Sequence, residues 1–271
     1  MQKQINKTAL RTILALTLCS TVLFTAGCGS SSSTPAAEVP AIVTWQAKLT
    51  TAQEVPAPTL PDAAATTPSG TASFTLYSTN KLRGSMILTG FTLSGTPQTT
   101  AVTGAHIHDG DVGTPGGVVK ALVADSAKVI WSLPPNTSLT DPQLARFKAG
   151  GYYVNAHTAP PNNGGIIRGQ LISFANNIQP IFTAKCVGCH VAGGSAPMSL
   201  VAGASIASLV NRPGTVAAGT RVIPGDSTNS VLYKKISGTT AGPQMPTNNT
   251  QLGANDQNLI KVWIDMGAAN N

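Results

Sequence analysis

The sequence has few charged residues and no cluster of basic ones. Charged side chains make up 10% of the 271 residues, and 17 Lys and Arg against 10 Asp and Glu give a formal net charge of +7. Three of these bases, Lys3, Lys7 and Arg11, lie in the first segment; without them, 14 bases against 10 acids leave +4. The other bases are scattered, which excludes the basic footprint of a nucleic-acid-binding surface.

The N-terminal apolar run is too short to be a typical membrane span. It extends from about Ile13 to Ala26, whereas a transmembrane helix needs about 20 apolar residues. A basic start precedes the run and small residues follow it, which is the pattern of a secretory signal peptide. We therefore expect residues 1–27 to be a signal peptide and the protein to be exported.

The end of the run, Leu23-Phe24-Thr25-Ala26-Gly27-Cys28, resembles a bacterial lipobox. The resemblance implies that Cys28 is lipidated and begins the mature protein, although Thr25 stands where Leu is commoner. Ordinary cleavage nearby and an uncleaved anchor are the alternatives. Residues 28–41 have little to bury and indicate a flexible tether. We expect a lipid-anchored protein at the periplasmic side of a bacterial membrane or at the cell surface.

The strongest chemical signal is Cys186-Val187-Gly188-Cys189-His190. Two thiols at this spacing can each form a thioether to one porphyrin, and the next imidazole can bind its iron, so the motif predicts attachment of one haem c. A thioredoxin-like dithiol would require a βαβ context, but a glycine-rich turn follows the motif. A zinc site would require two more Cys or His ligands, and none follows His190.

Residues 173–271 resemble small monohaem c-type cytochrome domains. The resemblance rests on Cys186, Cys189, His190, the Met245-Pro246 pair and residues 263–268. It implies a small all-α domain in which His190 and Met245 bind the iron, and one-electron transfer to redox partner proteins. Met198 is only 8 residues beyond His190 and would need an abrupt reversal to reach the opposite face. Met266 lies on an apolar helix face, where Met is more often a core residue.

Apolar spacing predicts helices in this C-terminal part. Ile178, Ile181 and Phe182 indicate one helix before the motif, and Ser230 to Ile236 a short one. A last helix is predicted from Leu259, Val262, Trp263 and Met266, with Asn255 as its cap and Gly267 beyond its end.

Residues 42–172 show a different pattern, with short alternating strands between Gly, Pro, Asn and Ser turns. Val43, Trp45, Ala47 and Leu49 alternate with polar residues, and similar patterns recur in residues 72–76, 82–88, 118–123, 129–133, 152–157 and 166–172. One helix interrupts them after Asp141-Pro142, with Leu144 and Phe147 on one face and Gly150 at its end. We predict an all-β antiparallel sandwich, followed directly by the helical domain.

Three histidines fall in two of these strand patterns. His106 and His108 are two residues apart and point to one face of a strand, and His157 ends another strand pattern. Converging imidazoles can bind Cu or Zn. In the structural alternative, the three histidines only hydrogen-bond the edge of the fold, with Asp109 and Arg168 as partners.

Residues 44–172 also resemble a CHRD domain, the repeat named from chordin. The resemblance rests on residues 53–56, 105–110, 153–158 and 164–171 in this order. It implies a β-sandwich-like fold and little about activity. The chain has Ile166 where the family usually has Glu, so any role of that carboxylate is lost.

Together these features favour an electron carrier over an enzyme. The cysteine count agrees, because Cys19 leaves with the signal peptide, Cys28 is lipidated, and Cys186 and Cys189 bind haem, which leaves no thiol for a disulfide. No catalytic triad or paired carboxylates stand out in the β half. Two alternatives stay open: a metal-dependent redox enzyme that uses the histidines of the CHRD-like domain, and a haem redox sensor or binding protein.

Overall fold

The structure, a computed structural model, describes residues 41–60, 67–77, 80–91, 102–215, 217–239, 243–247 and 251–271. The predicted signal peptide, Cys28 and nearly all of the tether lie outside the described residues. Residues Val39–Asn271 form one compact unit. Within its described part no helix is long and apolar enough to cross a membrane, and the longest, Ala254–Asp265, has 12 residues.

Among the described residues, nine β-strands form one sheet in which paired neighbours run antiparallel. They are β1 (Ala41–Thr50), β2 (Ser69–Tyr77), β3 (Leu82–Thr89), β4 (Val102–Asp109), β5 (Val118–Ala121), β6 (Val123–Ala124), β7 (Ile130–Ser132), β8 (Tyr152–Thr158) and β9 (Ile167–Gln170). Their spatial order is β5-β4-β8-β9-β1-β2-β3-β7-β6. The prediction of an antiparallel all-β fold is therefore confirmed for this part of the chain.

The sheet is continuous and curled, which differs from the two facing sheets of the predicted sandwich. Its two edge strands, β5 and β6, are separated in the chain by Leu122 alone, so the edges of the sheet come together. The Leu122 N–H also donates to the Ala105 carbonyl of β4, at 2.9 Å. Because strands twist, a sheet of this size can curl around its own core, and the result here is a near-barrel.

The core of the near-barrel follows the alternation of the strands. Trp45, Ala47 and Leu49 of β1 are buried, and so are Phe74 and Leu76 of β2. These residues belong to one hydrophobic cluster drawn from residues 45–171. Burial of alternate residues is the main source of stability in such a sheet, since it removes a continuous apolar face from water.

The predicted helix is also present, as α1 (Asp141–Lys148). Thr140 and Gln143 form a capping box, in which each side chain accepts a hydrogen bond from the other's backbone N–H. Phe147 is buried, and its ring centroid lies 4.3 Å from that of Trp45. Helix α1 therefore covers one side of the core of the near-barrel.

After residue 172 the described part of the chain has a π-helical turn (Phe174–Ile178) and four short helices. These are α2 (Gln179–Lys185), α3 (Ser205–Leu209), α4 (Val231–Ser237) and α5 (Ala254–Asp265). Long loops join them, and isolated β-bridges such as Val210–Val222 occur between them. The segment is therefore less helical than an all-α domain. Helix α5 begins after Gly253, so the prediction that Asn255 caps it is wrong by two residues.

A second hydrophobic cluster, drawn from residues 172–268, lies among these helices. It meets the near-barrel through polar contacts at the chain's last residue and at the π-helical turn. The Asn271 side chain donates to the Thr44 carbonyl of β1 at 3.2 Å and to the Ile172 carbonyl at 3.0 Å. Asn177 donates to the Lys148 carbonyl of α1 at 2.7 Å and accepts from the Ser173 N–H at 2.7 Å.

We expect Asn177→Ala to lower the free energy of unfolding by about 2 kcal/mol, because it leaves the buried Ser173 N–H and the Lys148 carbonyl without their partner. The matched control is Asn176→Ala in the same turn, whose side chain has only a 3.4 Å contact to Ser173 Oγ and should change stability by less than about 0.5 kcal/mol. Urea unfolding of both variants measures the difference, and equal effects would contradict this account of the junction.

Candidate functional site

The Cys186–His190 motif forms a tight turn at the C-terminal end of α2. The Cys186 N–H donates to the Phe182 carbonyl at 2.9 Å, and the His190 N–H donates to the Cys186 carbonyl at 3.0 Å. Cys186 and Val187 pack against the second hydrophobic cluster, whereas Cys189 is exposed. The turn therefore places one thiol on an apolar surface and the other in solvent.

The environment of Cys186 differs from that of a reactive dithiol. Burial raises the pKa of the Cys186 thiol to about 11, whereas redox-active Cys-x-x-Cys motifs have a lowered thiol pKa. The motif also follows a helix, whose C-terminal end carries the negative pole of the helix dipole and does not favour a thiolate. These two observations argue against the thioredoxin-like alternative.

The geometry of the motif also argues against zinc. In a zinc site the ligand atoms converge on one point. Among the described residues, one group of three or more His, Cys, Asp or Glu side chains has this convergence, and Cys186, Cys189 and His190 are not in it. Cys186, Cys189 and His190 therefore do not form a converging ligand set of the kind that zinc requires.

The loop after the motif returns to His190. The Leu200 N–H donates to the His190 carbonyl at 2.8 Å, and the Met198 backbone lies beside the imidazole. Burial lowers the pKa of His190, with the nearby Met198 backbone acting in the opposite direction. The buried Nδ1 forms no hydrogen bond within the described structure. Met198 therefore lies in the loop that returns to His190, with its backbone next to the imidazole.

The other two candidate methionines lie in different surroundings. Met245 is half-buried in the loop between α4 and α5, where its N–H donates to the Lys235 carbonyl at 2.9 Å. Met266 packs against the second cluster and lines a surface cavity over β1, β2 and β3. The structure thus places Met266 against the sheet and Met245 in the loop beside α4.

The converging group is the set of His106, His108 and His157, here called the histidine cluster. Its three ligand nitrogens all lie within 4.8 Å of one another. His106 and His108 are on β4, and His157 is on the neighbouring strand β8, where it pairs with Gly104. Ala105 and Ile107 point the other way, into the core. The alternation predicted from the sequence thus places all three imidazoles on the outer face of the sheet.

Backbone carbonyls fix the orientation of two of the rings. His108 Nδ1 lies 2.9 Å from the Gly116 carbonyl oxygen, and His157 Nδ1 lies 3.1 Å from the Asn163 carbonyl oxygen. A carbonyl can only accept, so each Nδ1 carries the proton and each Nε2 carries a lone pair. His108 Nε2, His157 Nε2 and His106 Nδ1 are buried and have no hydrogen-bond partner among the described residues.

The cluster is uncharged at neutral pH. Burial lowers the pKa of His106 and of His108, and it lowers the pKa of His157 to about 4. The desolvation cost of a charged imidazole is the main cause at each position. Neutral imidazoles keep the lone pair that a metal ion requires.

If the histidines had only a structural role, Asp109 and Arg168 were expected to be their hydrogen-bond partners, and this expectation is wrong. Asp109 instead accepts from Arg146 Nε at 2.8 Å. Arg168 stacks over the Tyr153 ring, 3.5 Å from its centroid, and donates to the Asp111 carbonyl at 2.7 Å. Neither Asp109 nor Arg168 hydrogen-bonds a histidine within the described structure, so they do not account for the cluster.

Sequence reasoning missed the buried polar groups beside the cluster. Glu54 is 5% exposed and Arg168 is 1% exposed. Burial raises the pKa of Glu54 to about 7, although the Val55 N–H and the Arg168 charge act in the opposite direction. A lone Glu in a loop before Val-Pro normally indicates a solvated residue, and the only signal for Glu54 was its place in the 53–56 segment of the family resemblance.

Comparison with known protein families supports the resemblance of the β-rich part of the chain to a CHRD domain. The family described as the CHRD domain matches residues 45–171, which covers the strands of the near-barrel and the histidine cluster. Ile166, which the resemblance contrasts with a Glu, is fully buried in the first hydrophobic cluster. No curated protein matches the chain.

We expect Glu54→Gln to change the pH dependence of stability. The neutral carboxyl is favoured in the folded state, so its stabilising contribution is full below about pH 4.5 and is lost as the pH rises through about 7. The variant lacks this loss. Its free energy of unfolding relative to that of the wild type should therefore rise by about 3 kcal/mol between pH 4.5 and pH 8. Urea unfolding at both pH values, with a chelator present, measures the gain. A stability difference that is the same at both pH values would contradict it.

Proposed function

We propose that the protein is an exported electron carrier that binds one haem c covalently through residues 173–271. The observation that carries this proposal is the turn that presents two thiols and an imidazole at the end of α2, beside an apolar cluster. When bound, haem c supplies an iron that takes up and releases one electron.

The residues of the turn fit such a group in three respects. Cys186 lies against apolar side chains, as a thiol attached to a porphyrin edge requires, and Cys189 is accessible. The buried Nδ1 of His190 has no hydrogen-bond partner among the residues that the structure describes, so no structural contact holds this atom there. In the proposal, Cys186 and Cys189 hold the ring by thioether bonds and His190 binds the iron.

Met245 is the proposed second axial ligand. Met198 lies in the loop that returns to His190, and Met266 lies against the sheet, so neither is well placed to bind the opposite side of the iron. A His/Met pair fills both axial positions and raises the reduction potential relative to two histidines. This favours electron transfer over ligand sensing.

The proposed architecture has a CHRD-like domain at residues 42–172 and a cytochrome domain at residues 173–271, with a lipid on Cys28 and a tether at residues 28–41. The lipid would hold the protein at the periplasmic side of a membrane or at the cell surface, where its redox partner proteins are also found. The segment before β1 is rich in Ser, Ala and Pro and has the composition of a flexible spacer, which supports this arrangement.

We expect Met245→Ala to convert the haem from a six-coordinate, low-spin form to one with an open axial position. The reduced variant should bind carbon monoxide readily and have a lower reduction potential, because a thioether ligand favours the reduced iron. Visible spectra and redox titration of protein from a host with c-type maturation measure both effects. The matched control is Met198→Ala, which should keep the wild-type spectrum.

One result would overturn the assignment of Met245 as a ligand, and another would overturn haem binding itself. If Met245→Ala leaves the spectrum and potential unchanged, the axial assignment is wrong. If purified protein from a competent host is colourless and both Cys186 and Cys189 remain free to alkylate, the chain does not bind haem c at all. In the latter case a haem sensor is excluded as well.

We expect Cys28→Ser to abolish incorporation of radioactive palmitate and to release the protein from the membrane fraction. Cys28 lies at the end of the apolar run, where the lipobox-like segment places the modified thiol. Cys19→Ser is the matched control, since a cysteine inside the signal peptide should not affect labelling. Undiminished labelling of the Cys28 variant would contradict lipidation at this residue.

A further inference from the structure

We propose that His106, His108 and His157 form a binding site for a transition-metal ion that takes Cu²⁺ in preference to Zn²⁺. The site lies on the outer face of β4 and β8 and uses none of the residues of the haem motif. It therefore does not depend on the proposed electron-carrier function.

The convergence of the three nitrogens is the first argument. They lie within 4.8 Å of one another, and nitrogens bound to one ion at 2.0–2.1 Å are about 3.3 Å apart in a tetrahedral arrangement. The ring centroids of His106 and His157 are 4.9 Å apart, and those of His108 and His157 are 5.7 Å apart. Small rotations of the side chains therefore bring all three nitrogens to one ion.

The second argument is the orientation of the rings. Metal-binding histidines usually donate the other ring N–H to a carbonyl or carboxylate, which fixes the tautomer and the ring plane. His108 and His157 each do this with a backbone carbonyl, those of Gly116 and Asn163. Both rings are thus held with their lone pairs free before any ion arrives.

The third argument concerns ring nitrogens of the cluster that are buried without a hydrogen-bond partner in the described part of the chain. His108 Nε2, His157 Nε2 and His106 Nδ1 are buried, and none has a hydrogen-bond partner in the described part of the chain. Three neighbouring buried ring nitrogens without hydrogen-bond partners are unfavourable, since each has lost its hydrogen bonds to water. A bound cation would satisfy all three together.

The ligand set identifies the kind of ion. The group contains three imidazoles and no carboxylate, so it does not suit Ca²⁺ or Mg²⁺, which need oxygen ligands. Imidazoles suit Cu and Zn, and the affinity of a given nitrogen site for Cu²⁺ exceeds that for Zn²⁺. No fourth His, Cys, Asp or Glu of the described residues joins the group, so a coordination position remains for water or a small ligand.

The experiment uses the full chain and a variant with Cys186→Ser, Cys189→Ser and His190→Ala, which removes the haem motif. Titration with Cu²⁺ and with Zn²⁺ should show one equivalent bound by both proteins with the same affinity, and tighter binding of Cu²⁺. The electron paramagnetic resonance spectrum of bound Cu²⁺ should show nitrogen ligands. If haem attachment fails but this binding persists, the metal site stands and the electron-carrier proposal falls.

Variants of the cluster separate a metal site from a purely structural role. His157→Ala should weaken Cu²⁺ binding by about 100-fold or more, because it removes a metal ligand. Removal of a residue that only supports a ligand already weakens metal binding by about 10- to 100-fold. Added Zn²⁺ should raise the thermal unfolding temperature of the wild type, but not that of the variant. Circular dichroism verifies that the variant is folded.

A second pair of variants leaves every ligand in place. A Cβ at Gly116 would collide with the Asp109 carbonyl oxygen, whereas a Cβ at Gly117 would meet nothing within 4 Å. Gly116→Ala should move the carbonyl that orients His108 and weaken Cu²⁺ binding by about 10- to 100-fold, and Gly117→Ala should have no effect. Binding of less than one equivalent in the wild type, or equal affinity in His157→Ala, overturns the proposal.

Discussion

The two-residue repeat of β4 and β8, set in antiparallel register, is the constraint on which both the core and the histidine cluster depend. Ala105 and Ile107 on β4 face the core, together with Val154 and Ala156 on β8. The intervening residues must then face outward on the same two strands. A shift of either strand by one residue would move its core side chains to the outer face and turn its imidazoles into the apolar core, so packing of the core fixes the position of the cluster.

Loops cover the outward face of β4 and β8 and determine how much water reaches it. Strand β8 is buried along almost its whole length on both faces, since the segments that carry Gly116, Asn163 and Glu54 cover its outer side. Burial under these loops removes water from the histidines and from Glu54, which shifts their pKa values in favour of the neutral forms. Arg168 lies under the same cover and stacks on Tyr153. The outer face is therefore a polar layer that loops cover in large part, with His108 buried and His106 and His157 half-buried.

The C-terminal part depends on a smaller set of contacts. Its helices are short, and their apolar residues form one cluster around Trp263, Phe182 and Phe174. The Cys186–His190 turn lies at the edge of that cluster, and Met245 lies in a loop outside its buried set. A porphyrin attached to this turn would extend the apolar surface that the short helices can pack against, which is the physical reason that the proposed haem would stabilise the segment.

The sequence alone determined the features that rest on local chemistry and on periodicity. Alternation predicted the antiparallel strands, Asp141-Pro142 followed by Leu144 and Phe147 predicted α1, and the spacing of Leu259, Val262 and Trp263 predicted α5. The same period put His106 and His108 on one face. Only the tertiary structure decided that the strands form one curled sheet, that His157 meets the other two histidines, and that Glu54 and Arg168 are buried. These outcomes depend on strand order and loop cover between residues far apart in the chain, which no local pattern specifies.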